Sequence, residues 1–288
     1  MLEKTKLYAE SWNVAFRKTK PANILENKKT PFEIIKNSWR FWAADPFLFE
    51  YNSETYVFAE LYDYIACKGT LGYCKLEKSK KPKWKKIISE PYHMSYPYIY
   101  EMNGEIYILP ESGASNCLYT YKATHFPDKW EKCDIIRENV VYGDTSLFEY
   151  QNHTFALSYD VSDNERYRLM LLNLSDKNLD SKIEGNPSIQ RPAGRPFYIE
   201  NRLLRPAQIC ENDYGEGLIF YEIYFDKEGN YKENAISRIM PNELTYSKNI
   251  ILNGMHTYNA TRNYEVIDIK TRRFNIINLI FRTLNKLK

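Results

Sequence analysis

The chain repeats itself. "ADPFLFEYNSETYVFAE", residues 44–60, returns as "YPYIYEMNGEIYILPE" from Tyr96, "DTSLFEYQNHTFALSYD" from Asp144 and "RPFYIENRLLRPAQ" from Arg195. A weaker fifth copy, "HTYNATRNYEVIDI", begins at His256. In the first four copies a Pro or Thr (Pro46, Pro97, Thr145, Pro196) precedes three largely apolar residues and a Glu (Glu50, Glu101, Glu149, Glu200). A turn and a second alternating run follow. With Thr257 as the fifth anchor the steps are 51, 48, 51 and 61 residues. Strand-turn-strand units at a period near fifty residues predict propeller blades.

Outer strands follow each hairpin. "TLGYCKLEK", "CLYTYKA", "YRLMLLNL" and "GLIFYEIYF" read as third strands, and "KWKKIISE", "WEKCDIIRE" and "ISRIMPNEL" as fourth strands. The fifth unit is short of strands while "WNVAFRK" near the N-terminus is unclaimed, so pairing the two would close the ring and remove two sheet edges. The expected fold is all-β: a five-bladed β-propeller over residues 1–270, then a short basic amphipathic helix over 271–288. In that tail Ile277, Ile280, Phe281, Leu284 and Leu287 recur at helical spacing beside Arg272, Arg273, Arg282, Lys286 and Lys288. Two readings fit such a stripe: a helix docked on the propeller wall, or one lying on anionic lipid at the inner membrane face.

Composition narrows the function classes. A net charge of +3 gives no bulk electrostatic case for nucleic acid as a partner. Five cysteines, odd in number and without a C-x-x-C pair, argue against a disulfide framework or structural zinc and point to a reducing, cytoplasmic setting. The N-terminus lacks an apolar signal core, and no run reaches transmembrane length. The lysine-rich "KLEKSKKPKWKK" reads as a solvated outer edge between blades.

In a propeller the innermost strands surround a channel and their first residues crowd its mouth. Asp45, Tyr96, Asp144, Arg195 and His256 hold that position in the five units. Because hairpin strands are antiparallel, Glu60, Glu111, Asp160 and Gln208 return to the same face. Several charges gathered at a channel are costly unless a ligand compensates them, or unless Asp45, Asp144, Arg195 and Arg205 form an internal ion-pair ring. No Gly-rich phosphate loop, suitably placed D-x-D or Ser-His-Asp order points to another enzyme class.

"AADPFLFEYNSETYVFAE" resembles the opening blade of the five-bladed family 43 glycosidases, whose ADP aspartate is the general base; the match falls on Asp45. "GDTSLFEY" is similar to their third-blade motif, which makes Asp144 the residue that tunes the acid. His256 sits where such enzymes place a histidine near a central cation, so the resemblance implies a divalent ion such as calcium. A closer resemblance, through "SEPYHMSYPYIYE", "ILPES", "ATHFPDKWE", "DTSLFEY", "RPAGRPFYIE", "LLRPAQ" and "MHTYN", is to the N-terminal propeller domain of plant glucosamine inositolphosphorylceramide transferases. Free-standing relatives of that domain occur with surface-polysaccharide genes of bacteria. The family 43 acid, the Glu of an E-G-P motif, is absent: "AGRPF" puts Gly194 and Arg195 there. Asp45 as base or nucleophile would then need Glu60 or Glu111 as acid, at about 5–9.5 Å for a glycosidase. Arg195 and Arg205, with Gln208, His93 and Tyr96, would suit a sugar phosphate or other anionic sugar, since a guanidinium binds phosphate or carboxylate bidentately. Glycosyl transfer, hydrolysis and plain glycan binding are the three functions this implies.

Overall fold

The computed structural model describes residues 8–77, 80–162, 168–248 and 251–274, except for the side chains of 8, 9, 273 and 274. Its first strand, β1 (Tyr8–Lys18), is followed by a one-turn helix, α1 (Asn23–Glu26), and β2 (Glu33–Ile34). Four-stranded antiparallel blades then follow in chain order. Blade one is β3 (Phe41–Tyr51), β4 (Glu54–Asp63), β5 (Lys68–Leu76) and β6 (Lys85–Ile88). Blade two is β7 (Ser95–Met102), β8 (Glu105–Glu111), β9 (Cys117–His125) and β10 (Lys129–Glu138). Blade three is β11 (Tyr142–Tyr150), β12 (His153–Asp160), β13 (Arg168–Asn173) and β14 (Ser181–Ile183). Blade four is β15 (Phe197–Ile199), β16 (Arg202–Ile209), β17 (Gly217–Phe225) and β18 (Tyr231–Ile239).

The last blade is composite. β19 (Leu252–Gly254) and β20 (Tyr258–Ala260) pair with one edge of β21 (Tyr264–Phe274), and β1 pairs with the other, from Tyr8 opposite Phe274 to Lys18 opposite Tyr264. The N-terminal strand therefore closes the ring as its sequence predicts. It does so as the third strand, with β2 outside it. One expectation is corrected here: residues 271–274, assigned to the C-terminal helix, complete β21, because their backbone pairs with Tyr8–Ser11. The remainder of that helix, residues 275–288, lies outside the described residues, and no helix among the described residues is long and apolar enough to cross a membrane.

The core lies between blades. Phe47, Phe58, Ile99, Ile108, Leu147 and Ala156 join blades one to three. Leu157, Leu169, Leu203 and Ile219 join three to four. Ala193, Leu218 and Phe220 meet Ala15, Ile267 and Ile269 between four and five, and Val14 and Val266 meet Ala43, Leu48 and Val57 between five and one. The period-two patterning of each strand supplies these two buried faces.

A bulge repeats at the inner end of blades one to three. Register slips between Ala44 and Phe47, between Ser95 and Tyr98, and between Gly143 and Ser146. At each, the first extra residue has a left-handed backbone: Asp45 (φ 50°), Tyr96 (φ 46°) and Asp144 (φ 47°). Such bulges re-aim a side chain away from the sheet surface, here into the channel. Blade four differs. Four residues, 193–196, intervene between the Pro192–Ala207 bridge and the Phe197–Leu204 pair. Gly194 absorbs the detour at φ 138°, with the Tyr258 carbonyl only 1.9 Å from where a Cβ would stand.

Candidate active site

The three bulges and the N-terminal strand enclose a cavity of about 200 Å³ at the channel mouth. Its acids are Asp45, Glu60, Glu111 and Asp144; Arg191, His93 and His256 are its basic groups; Trp12, Trp42, Tyr62 and Tyr214 form aromatic walls. The Trp42 and Tyr62 rings stack at 4.7 Å, and Trp12 stacks on His256 at 4.0 Å.

Asp45 is held on every side. Its carboxylate accepts from Thr257 Oγ1 at 3.0 Å and the Tyr96 N–H at 3.2 Å, and its own N–H donates to Asp268 at 3.0 Å. His256 bridges the two acids, with Nδ1 2.6 Å from Asp268 and Nε2 3.4 Å from Asp45. Burial lifts the Asp45 carboxyl from its ordinary 3.8 to about 6; His256 and the Thr257 bond oppose the rise, while Asp144 and Asp268 add to it. Burial alone would push the His256 imidazole down, but Asp268 and Asp45 overcome it and hold it above its ordinary range.

Glu60 is the least compensated acid. It is 4% exposed, and its Oε1 has no hydrogen-bond partner among the described residues. His93 Nε2 is the near neighbour, at 3.5 Å. The other ring nitrogen, Nδ1, accepts the Gly69 N–H at 3.0 Å, so a neutral His93 carries its proton on Nε2, facing Glu60. Burial, then Asp45 and Glu111, drives the Glu60 carboxyl well above the usual carboxylate range. Gly69 makes room for it: an added Cβ would lie 2.4 Å from both Glu60 Oε1 and the Met94 carbonyl. We expect Gly69→Ala to cost about 1–3 kcal/mol in chemical denaturation, as an overpacked site does. An unchanged midpoint would show that both Glu60 and the backbone at Met94 yield freely.

Asp144 and Glu111 share Arg191. Arg191 Nε donates to Asp144 Oδ2, its NH2 lies 3.3 Å from Glu111, and the Asp144 N–H donates to Glu111 at 3.1 Å. Gln208, fully buried, donates to Asp144 at 2.8 Å. Burial raises the Asp144 carboxyl to about 7, with Arg191 pulling it down and Glu111 pushing it up.

The structure thus brings Asp45, Glu60, Glu111, Asp144, His93 and His256 to one cavity, with Gln208 behind Asp144. Tyr96 lies beneath the cavity as a crossbar: its hydroxyl meets Ser146 Oγ at 2.7 Å and accepts the Gly194 N–H at 2.6 Å. The expected arginines stand elsewhere. Arg195 lies over the Tyr98 ring and donates to the Ile99 carbonyl. Arg205 is 1% exposed and bound within blade four to Glu233 at 2.7 Å and the Gln190 carbonyl at 3.1 Å. Asp160 misses the Glu60 position because Tyr159 pairs with Gly143 there. The four-residue detour explains the arginine: it moves the first of two Arg-Pro pairs in "RPAGRP" to the mouth, and Arg191 takes the place expected of Arg195. Sequence reasoning also missed Asp268, a charge inside an otherwise apolar strand, and the aromatic walls.

Asp45, His256 and Asp268 present donor atoms within 4.8 Å of one another. They suit a proton-sharing triad better than calcium, which seeks six to eight oxygens. Asp268 is already engaged by the Asp45, His256 and Thr257 N–H groups and by the imidazole.

These features define a class: a five-bladed propeller with an acid-rich, aromatic-walled cavity at its axis. Residues 35–269 match the family described as glucosamine inositolphosphorylceramide transferase 1, N-terminal, and the chain belongs to it. Glucosamine inositolphosphorylceramide transferase 1 of Arabidopsis thaliana is 25% identical over 80% of this chain and 30% of its own length. That of Oryza sativa subsp. indica is 27% identical over 68% and 28%. The chain therefore spans under a third of these relatives. Among solved structures, the catalytic domain of Coprinopsis cinerea GH62 alpha-L-arabinofuranosidase is similar in fold, with a TM-score of 0.58, 12% identity and coverage of 88% of this chain and 97% of that one. An alpha-L-arabinofuranosidase from Lactobacillus brevis has a TM-score of 0.54 at 10% identity, covering 78% and 81%.

Proposed function

We propose that the channel mouth binds a sugar unit and performs acid–base chemistry at its glycosidic bond. One observation carries this reading: two buried carboxyls in one cavity, Asp45 and Glu60, are set apart in acidity by their surroundings. Glu60, without a hydrogen bond to its Oε1, is pushed toward its protonated form by burial; Asp45, tied to Thr257, Tyr96 N–H and His256, gives its proton up near pH 6. Such a divergence separates a general acid from a general base. Glu60 donates its proton to the departing glycosidic oxygen as the C–O bond breaks. Asp45 takes the proton of the incoming hydroxyl as the new C–O bond forms. Water as that hydroxyl gives hydrolysis, and a sugar hydroxyl gives transfer.

The charge balance favours a neutral or amino sugar. Four acids line the cavity beside Arg191 and two histidines, and Arg191 is occupied by Asp144 and Glu111. A phosphate clamp lacks its arginines, because Arg195 and Arg205 are committed elsewhere. Glucosamine, named in the plant relatives, carries an ammonium that these acids would compensate. Five free thiols suit a reducing compartment for this activity. Calorimetric titration with chitosan oligosaccharides, their N-acetylated forms and sugar phosphates tests the reading. Tightest binding should go to the amino sugars, accompanied by new reducing ends or elongated products. Preference for the phosphates would refute it.

A further inference from the structure

The segment "KLEKSKKPKWKK", residues 75–86, holds seven lysines and one glutamate, a local charge of +6 in a chain whose total is +3. Its described residues border a groove of about 790 Å³ on the outer edge of blade one, beside Pro127 of blade two. Lys75, Lys80, Lys81, Lys83 and Lys85 line it together with Tyr56, Tyr73 and Trp84. Three of these lysines are engaged: Lys75 by Glu54, Lys80 by Glu77 at 2.8 Å and Lys85 by Asp128 at 2.8 Å. Lys81 and Lys83 form no ion pair among the described residues. The Trp84 indole N–H is buried there without a hydrogen-bond partner among the described residues, although a buried donor ordinarily finds one.

We infer that this groove binds an anionic oligosaccharide, independently of the channel mouth. Lys81 and Lys83 would take the acidic substituents. The Tyr73 and Trp84 side chains offer apolar surface to a sugar's C–H face. Glu77, also in the lining, fits the sugar hydroxyls, which donate. That mixture of donors and acceptors separates the candidates. A phosphodiester backbone itself offers Glu77 acceptors only, where sugar hydroxyls offer donors, and a concave groove excludes the flat surface of a bilayer.

Fluorescence titration of the full chain with an oligogalacturonate and with a heparin-derived oligosaccharide tests this, the methyl-esterified galacturonate serving as the uncharged control. At least one acidic chain should bind, weakening as salt rises. The esterified form should bind at least about tenfold more weakly, as loss of charge complementarity predicts. The double variant Lys81→Glu, Lys83→Glu should lose a similar factor while its thermal transition stays in place. Trp84→Ala, which removes apolar surface from the groove, should lose severalfold. Asp45→Asn should bind as the wild type does. The inference is overturned if neither acidic chain binds, if the esterified chain binds equally, if the lysine variant retains affinity, or if single-stranded RNA or anionic vesicles bind more tightly. Failure of sugar processing at the channel mouth would leave all these results unchanged.

Discussion

Asp45→Asn should leave a folded protein whose turnover of a sugar substrate falls about 10²–10⁴-fold, the usual worth of a positioned acid or base. The amide keeps the size of the carboxylate and an oxygen to accept from Thr257 or the Tyr96 N–H, so the bulge has no reason to collapse. What it loses is the ability to take a proton. Glu60→Gln should cost a similar factor by losing the ability to give one. Activity in the wild type should rise with pH through about 6, as Asp45 ionises. Stability moves the other way. The Asp45 carboxyl is raised from 3.8 to about 6 in the folded chain, so folding binds protons there. Its contribution is full below about pH 4 and is lost as pH rises through 6. Asp45→Asn should flatten that part of the stability profile. A variant that keeps full turnover would remove Asp45 from the chemistry; one that unfolds would make it a structural residue.

Arg17→Met should destabilise the propeller by about 3–5 kcal/mol, because it strips the partner from a buried acid. Arg17 and Glu265 are both almost fully buried and meet at 2.7 Å across the β1–β21 pair. The guanidinium also donates to the carbonyls of Asn27 and Thr30 at 2.9 and 3.0 Å. The other Glu265 oxygen accepts from the Ile24 N–H at 2.9 Å and the Tyr258 hydroxyl at 2.7 Å. One ion pair thus ties the N-terminal strand, the helical turn after it and the innermost strand of blade five. Trp12, on the same strand, walls the cavity, so loosening this closure should weaken sugar binding as well. Urea denaturation followed by tryptophan fluorescence measures the effect, and a loss below about 1 kcal/mol would place ring closure in the strand pairing and apolar packing alone.

Most of the fold can be read from the repeat, because a blade is a local object: strand, turn and strand recur with the same anchors. Pro46, Pro97 and Thr145 mark the bulges that turn Asp45, Tyr96 and Asp144 inward. Even the ring closure is legible, since a surplus strand at one end answers a deficit at the other. Blade four escapes this logic. Pro196 aligns with the other anchors, yet Gly194 permits a four-residue detour that no spacing announces, and Arg191 arrives in place of Arg195. Arg205 looks identical in sequence to a binding arginine; its commitment to Glu233 depends on a partner 28 residues away on an outer strand. Asp268 and Trp12 are hidden for another reason. They reach the site only because β21 and β1, at opposite ends of the chain, pair with each other. Short β14 left almost no pattern to read.

The proposed chemistry requires a sugar at the channel mouth, within reach of Asp45 and Glu60. A crystal of the Glu60→Gln variant soaked with a chitosan oligosaccharide tests this most directly. A sugar is expected in the cavity walled by Trp12, Trp42, Tyr62 and Tyr214, with a glycosidic oxygen within hydrogen-bond reach of residue 60 and a hydroxyl or water on Asp45. A sugar bound elsewhere while this cavity stays empty at saturating ligand would contradict it.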